Sequence, residues 1–326
     1  MEQSPTLQNL TEPERKLVKK IAVLTNKWNK DNISRTKAYE YFFSVHPNIK
    51  WSFLAGMVSR NAGWNMCDLE GAWFPKLISR NYRHSLFMTY ERANWVIFHD
   101  AFPQLLLYHY STKYGMPLFH LSRHFSISRF SENEWTAFWQ SGDETRLLHA
   151  LIINEQNVIE EPVIRHHYYN PFIFHSLLFE LQDWMHFSTV LFPMCSGDIY
   201  GHSVSHFRSV DARIDLGKKL SMILFQEDLF PFFYEFARQT EPTGSRHDYE
   251  QYFPYKKWRE TPFLRMVYPI ISHSVHQLDQ WDKKKEINSQ WFTMPSLTEE
   301  IKLNDWYRKK QKQLHFIIGA RDFFRQ

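Results

Sequence analysis

KWSFLAGMVSRNAGWNM, residues 50–66, is the stretch on which the reading of this chain turns. Successive residues of an α-helix rotate by about 100°, so side chains three, four and seven apart share a face. On that spacing Trp51, Leu54, Ala55, Val58 and Ala62 form one apolar stripe, and Asn61 and Asn65 fall inside it. The opposite edge carries only small residues: Ser52, Gly56, Ser59 and Gly63. A seam without bulk lets a neighbouring helix approach closely, so this segment is expected to be a central helix.

The sequence on either side has the same character. Further helices are expected near 12–30, 34–45, 85–102, 131–141, 144–160, 171–191, 209–227, 229–239 and 297–313. Three S/T-x-x-E boxes, at Thr11–Glu14, Ser131–Glu134 and Ser296–Glu299, supply helix starts, because the hydroxyl can accept from a free N–H while the Glu reaches back. Pro103, Pro171, Pro193 and Pro231 fall at expected helix boundaries. Glycine is scarce and strand-like alternation is rare, so the expected fold is all-α, a single large multi-helix globular domain of about ten helices. Residues 1–240 form its main body. Residues 241–326 begin with a connection rich in turn formers (240–262), followed by a basic helical region packed on the body. From Tyr255 to Gln326 there are 14 Lys and Arg against 8 Asp and Glu.

Composition narrows the function classes. Aromatic residues make up 17% of 326 residues, enough to fill a large core, so disorder is excluded. A net charge of +4 from 39 basic and 35 acidic residues gives little general pull on a polyanion. The richest apolar run, Phe172 to Phe192, is broken by His175, Glu180, Gln182, Asp183 and His186, so membrane insertion is not expected. The N-terminus lacks a signal-peptide pattern. Two cysteines, Cys67 and Cys195, without a CxxC pair, suit a reducing compartment. A cytoplasmic protein is expected. No Gly-rich phosphate loop and no nucleophile motif is present, so no cofactor is implied.

The informative residues are polar side chains on apolar faces. Glu155 lies within the stripe Leu147, Leu148, Leu151, Ile152, Val158 and Ile159. Glu91 sits among Phe87, Trp95, Phe98 and Phe102, with Asn94 alongside, and Arg213 sits among Val210, Leu216, Leu220 and Leu224. Unpaired charge in the interior costs several kcal/mol, so these groups should find one another, with Arg213 as counter-ion to Glu155 or Glu91. Two readings stay open. As a structural lock, the cluster holds helices in register, in a protein that meets a partner through its C-terminal region. As a site, it belongs to a hydrolase or lyase of a small polar substrate. There Glu155 and Glu91 are the catalytic carboxyls, and Asn61, Asn65, Asn94 and Arg213 bind substrate.

Other constellations carry less. The pairs His202/His206, His273/His276 and Asp183/His186 have helical spacing, yet no E-x-x-H occurs, so no metal site is expected. Lys256 and Lys257, beside Trp258, and Arg308, Lys309 and Lys310, beside Trp306 and Tyr307, could engage nucleic-acid phosphates while the aromatics stack. Such runs are more often the solvated face of a helix.

The block NISRTKAYEYFFSVHPNIKWSFLAGMVSRNAGWNMCDLEG (32–71) resembles the YppC-like family of uncharacterised proteins of Bacillus-type bacteria. So do ERANWVIFHDAFPQLLLY (91–108), ALIINEQNVIEEPVI (150–164) and LGKKLSMILF (216–225). The resemblance implies a Gram-positive cytoplasmic setting. It brings no established activity and no catalytic residues, so no site can be carried over.

Overall fold

A computed structural model describes residues 10–166, 189–203, 209–273, 280–283 and 285–323. Helix α1 (Glu12–Trp28) starts at the expected box: the Thr11 hydroxyl accepts the Glu14 N–H, and the Glu14 carboxylate accepts the Thr11 N–H at 2.9 Å. Helix α2 (Asn32–Val45) is capped by Asp31, whose carboxylate accepts the Ser34 N–H at 2.7 Å. Helix α3 (Lys50–Asp68) is central, with every residue from Trp51 to Asp68 buried except Val58. Its small-residue edge receives α2, and a Cβ on Gly56 would lie 3.4 Å from the Tyr39 Cβ. The Asn32 amide closes the contact by donating to the Ser59 carbonyl at 2.8 Å. Further along the seam, Gly63 faces the backbone of Gly244, whose φ of +81° suits glycine.

After a short turn, α4 (Phe74–Leu77), comes α5 (Arg80–Tyr114), a 35-residue helix that runs through Pro103 instead of stopping there. Proline inside a helix removes one hydrogen bond and costs about 3 kcal/mol. Phe98 and Phe102 before it and Leu105 and Leu107 after it are all buried in one core, which offsets that loss. The helix ends at Gly115, in the left-handed region. Helix α6 (Arg129–Ser141) is capped by Ser128 and not by Ser131, whose own N–H donates to the Ser128 hydroxyl at 3.1 Å. Helix α7 (Glu144–Val158) continues into a wide turn at Glu160–Ile164.

Of the helix expected at 171–191, residues up to 188 lie outside the described residues. Its end is a strand. Strand β1 (Thr189–Pro193) pairs antiparallel with β2 (Ile199–Ser203). Its Thr-Val-Leu-Phe run suits a half-buried pleat, and a Cβ on Gly201 would collide with the Val190 carbonyl. Among the described residues, this hairpin apart, the fold is predominantly helical, as expected. Then follow α8 (Val210–Leu224, capped by Ser209), α9 (Phe230–Gln239), α10 (His247–Glu250), α11 (Leu264–Val267) and α12 (Asn304–Phe323). The last helix begins later than the Ser296 box implied. Residues before it pair with the hairpin: the Gly201 N–H donates to the Ile301 carbonyl at 3.0 Å and the Leu303 N–H to the Ile199 carbonyl at 2.7 Å.

The largest core gathers Trp51, Phe53, Phe98, Ile152, Phe192, Phe233, Tyr249 and Tyr307. A second contains Met66, Leu86, Phe87, Trp95, Leu264, Leu314 and Ile318. Thus α5 and α12 each serve both. No helix among the described residues is long and apolar enough to cross a membrane.

Candidate functional site

The inward polar residues are buried or half-buried as expected, but they separate into several groups. Glu91, only 3% exposed, meets Arg35 of α2 in a two-point ion pair, with guanidinium nitrogens 2.5 and 2.9 Å from its two oxygens. Arg35 also donates to Asn29 at 2.6 Å and to Asn32 at 2.8 Å, while His273 lies 3.6 Å from Glu91. Burial alone would raise the Glu91 pKa, yet the Arg35 charge and hydrogen bonds hold it below its ordinary value. Asn94 turns back to its own helix, donating to the Tyr90 carbonyl at 2.8 Å.

Arg213 pairs with neither expected carboxylate. It bonds Glu160 at 2.5 Å, in the turn after α7, and donates to the Gln156 side-chain oxygen at 3.1 Å. Gln156 in turn donates to Glu155 at 2.8 Å, and the Trp51 indole donates to the other Glu155 oxygen at 3.0 Å. The order across the site is therefore Trp51, Glu155, Gln156, Arg213, Glu160. A neutral amide stands where a salt bridge was expected, because Glu160 sits closer to the guanidinium. Glu155 is partly buried, and burial raises its pKa to about 7, the Gln156 and Trp51 hydrogen bonds opposing the shift only in part. Beside it the Tyr39 ring meets Trp51 edge-on at 5.6 Å, and the buried Tyr39 hydroxyl has no hydrogen-bond partner among the described residues.

Helical spacing left two buried groups unnoticed. Asp100 accepts from Gln104 at 2.7 Å and from Asn154 at 2.6 Å, and burial without a cation pushes it up to about 7. Trp135 donates to Gln104, and Ser128 and Trp281 both donate to Asn154 at 2.9 Å, completing an uncharged scaffold around it. The other group joins α3 to the 240–262 connection and α12. Arg246 donates to Asp68 at 2.6 Å and to the Tyr307 hydroxyl at 3.2 Å, and Tyr307 donates to Glu250 at 2.5 Å. Burial raises Asp68 to about 6, against the pull of Arg246.

Asn61 and Asn65 belong to this second neighbourhood. The Asn61 oxygen accepts the Leu191 N–H at 3.0 Å and its amide donates to the Thr189 carbonyl at 3.3 Å, so it pins β1 to α3. Asn65, 7% exposed, has no side-chain hydrogen bond among the described residues and lines a cavity of about 10 Å³. Arg246, Tyr249 and Tyr307 share that cavity. A second one, also about 10 Å³, lies on the far side of Arg246 against Asp68, Glu250 and Gln311. Each has room for about one water.

The five basic residues do not form one track. Lys257 turns inward to Glu250 and sits 3.5 Å from Glu260, Lys256 stands over the Trp258 ring, and Arg308 pairs with Asp305 at 3.1 Å. Lys309 is exposed, whereas Lys310 is half-buried. Among the described residues no three His, Cys, Asp or Glu side chains are grouped to hold a metal ion.

Chemically, a Glu91 locked to Arg35 cannot exchange a proton near neutrality. Glu155 can, but Glu91 is not its partner in doing so. Arg35 was legible by the same rule that found Glu155, lying three, four and seven residues before Ala38, Tyr39 and Phe42. Arg246 and Glu250 lie in and beside a single helical turn, where periodicity has no purchase.

No solved structure matches the chain. It is 45% identical over 313 residues to the "Uncharacterized protein YppC" of Bacillus subtilis (strain 168), covering 96% of this chain and 97% of that protein. A family profile described as "Protein of unknown function (DUF2515)" matches residues 27–308. The chain belongs to the DUF2515 family.

Proposed function

We propose that this chain is a cytoplasmic structural or interaction protein whose inward charges hold its helices in register. On this reading the basic C-terminal region, residues 241–326, faces a partner. The observation that carries it is the internal matching of buried charge. Glu91 pairs with Arg35, Asp68 with Arg246, Arg213 with Glu160, and Arg60 with Glu40. Groups used in this way are withdrawn from a substrate. Two free cysteines are in keeping with a reducing compartment.

The test is a comparison of Glu91→Gln with wild type by urea denaturation and by shape in solution. A register lock requires a large stability loss, because the buried Arg35 loses its counter-charge. An unchanged midpoint would remove the reading.

A second reading rests on the setting of Glu155, a partly exposed carboxyl held by Trp51 and Gln156 and facing no cation among the described residues, which burial raises to about 7. There Glu155 is the general acid or base of a hydrolase or lyase acting on a small polar substrate. A screen of hydrolase and lyase substrates with wild type and Glu155→Gln decides it. Turnover that Glu155→Gln abolishes supports catalysis, and absence of turnover leaves only the first reading.

A further inference from the structure

We propose that Gln156 is a positioning residue, held by Arg213 in the one orientation that turns its amide N–H toward Glu155 and keeps that carboxyl a proton acceptor. This deepens the catalytic reading of Glu155 given above: the base role rests on that reading, whereas the relay itself does not. The chain of bonds has a fixed direction. Arg213 carries only donors and stays protonated at any working pH. Its Nε–H, 3.1 Å from the Gln156 side-chain oxygen, therefore claims the accepting end of the amide. The donating end is left for Glu155, at 2.8 Å. Glu160, 2.5 Å from the same guanidinium, holds Arg213 in place. A flipped amide would set N–H against guanidinium N–H and carbonyl against carboxylate, losing both bonds at once.

The other Glu155 oxygen accepts from the Trp51 indole, which is a donor only. Both oxygens thus meet donors, and neither donor can turn to accept. A proton on Glu155 has to sit on a lone pair that faces neither of them, so the two hydrogen bonds favour the ionised form. Burial works the other way and holds the carboxyl near neutrality, at about 7. From α2 the Tyr39 phenol faces the same carboxyl. Burial first, and then the Glu155 charge, push it well above its ordinary range, so it stays protonated. Glu155 is a carboxylate arranged to take up a proton, the behaviour of a general base and not of a resting acid.

The experiment is an NMR titration of the full chain carrying carbon-13 at the glutamate Cδ, the Glu155 resonance being assigned by its loss in Glu155→Gln. Gln156 is half-buried, and Gln156→Met keeps its length and bulk without a donor. Glu155 should then bind its proton about tenfold more tightly, its midpoint rising by about one pH unit. Arg213→Met frees the amide to turn its oxygen to a protonated Glu155, and should raise the midpoint as well. Arg165→Gln removes the charge bound to the other Glu160 oxygen, outside the relay, and should leave the midpoint in place. Circular dichroism establishes that each variant is folded, and if Arg213→Met is not, Gln156→Met decides alone. A midpoint unmoved by Gln156→Met would overturn the relay, and so would one moved equally by Arg165→Gln. The base assignment is read from turnover in the substrate screen. The rate should rise with pH through about 7, and a rate that falls there would overturn it. Absence of turnover removes the catalytic reading alone, because the titration needs no substrate.

Discussion

The indole N–H of Trp51 donates to Glu155 at 3.0 Å, joining the central helix to a carboxyl 104 residues away that has no ion-pair partner among the described residues. The bond opposes the upward shift of Glu155, yet the carboxyl still titrates near pH 7. A carboxyl whose folded pKa exceeds its unfolded value binds protons more tightly when folded. It therefore destabilises the fold progressively as pH rises from about 4.5 to about 7, and fully above that.

Glu155→Gln should remove that penalty. Relative to wild type, the variant is expected to be more stable at pH 8 than at pH 5, by about 1 kcal/mol or more. Taking the difference between the two proteins cancels the opposite slope of groups such as His46, whose pKa burial lowers to about 4. Urea midpoints at the two pH values check it. A constant difference would mean that the carboxyl is solvated and ordinary.

Asp100 provides a cleaner case of the same effect, because it is sealed and both of its hydrogen bonds reach one oxygen. Asn in its place can present an oxygen to Gln104 and Asn154 while removing the charge. Asp100→Asn should gain on wild type by on the order of a few kcal/mol between pH 4 and pH 8. Thermal melts across that range provide the measurement, and parallel curves for the two proteins would refute the assignment.

The Glu91–Arg35 pair predicts the reverse. Its carboxyl is held below the ordinary range, so its contribution is present above about pH 4.5 and is lost as pH falls through the folded value. Glu91→Gln at pH 7 should cost about 3–5 kcal/mol, since it strands a buried guanidinium. Replacing both partners, as Arg35→Met with Glu91→Leu, should recover much of the loss. A double variant as weak as the single one would show that the pair is not the cause.

Much of this architecture could be read before any coordinates, and the failures have physical causes. Thr11 and the α3 seam were legible because a capping box and a run of small residues depend on neighbours along the chain. Pro103 was misread as a stop, because whether a proline ends a helix depends on what the helix buries on either side of it. The start of α12 was misplaced, because the backbone groups before it are taken by a strand over 100 residues away in sequence, from Ile199 to Leu303. For the candidate site, spacing placed Glu91, Asn61 and Arg213 correctly in the interior. It could not say which of several interior partners each would meet, so Glu160 and Arg35 displaced the pairing that seemed natural.

Asn61 and Asn65, one helical turn apart, should respond differently to truncation. Asn61→Ala frees the Leu191 N–H and the Thr189 carbonyl inside the protein and is expected to cost about 1–3 kcal/mol. Asn65→Ala gives up no side-chain bond to the described residues and only enlarges a cavity with room for one water, so its cost should stay below about 1 kcal/mol. Equal losses in guanidinium melts would show that the two amides play the same part.

The double allegiance of α12 bears on how the protein is made. Tyr307 plugs the main core, and Leu314 and Ile318 plug the second. Synthesis runs from the N-terminus, so both cores lack these side chains until α12 has left the ribosome. Until then the apolar surface that Tyr307, Leu314 and Ile318 cover stays open to chaperones and proteases.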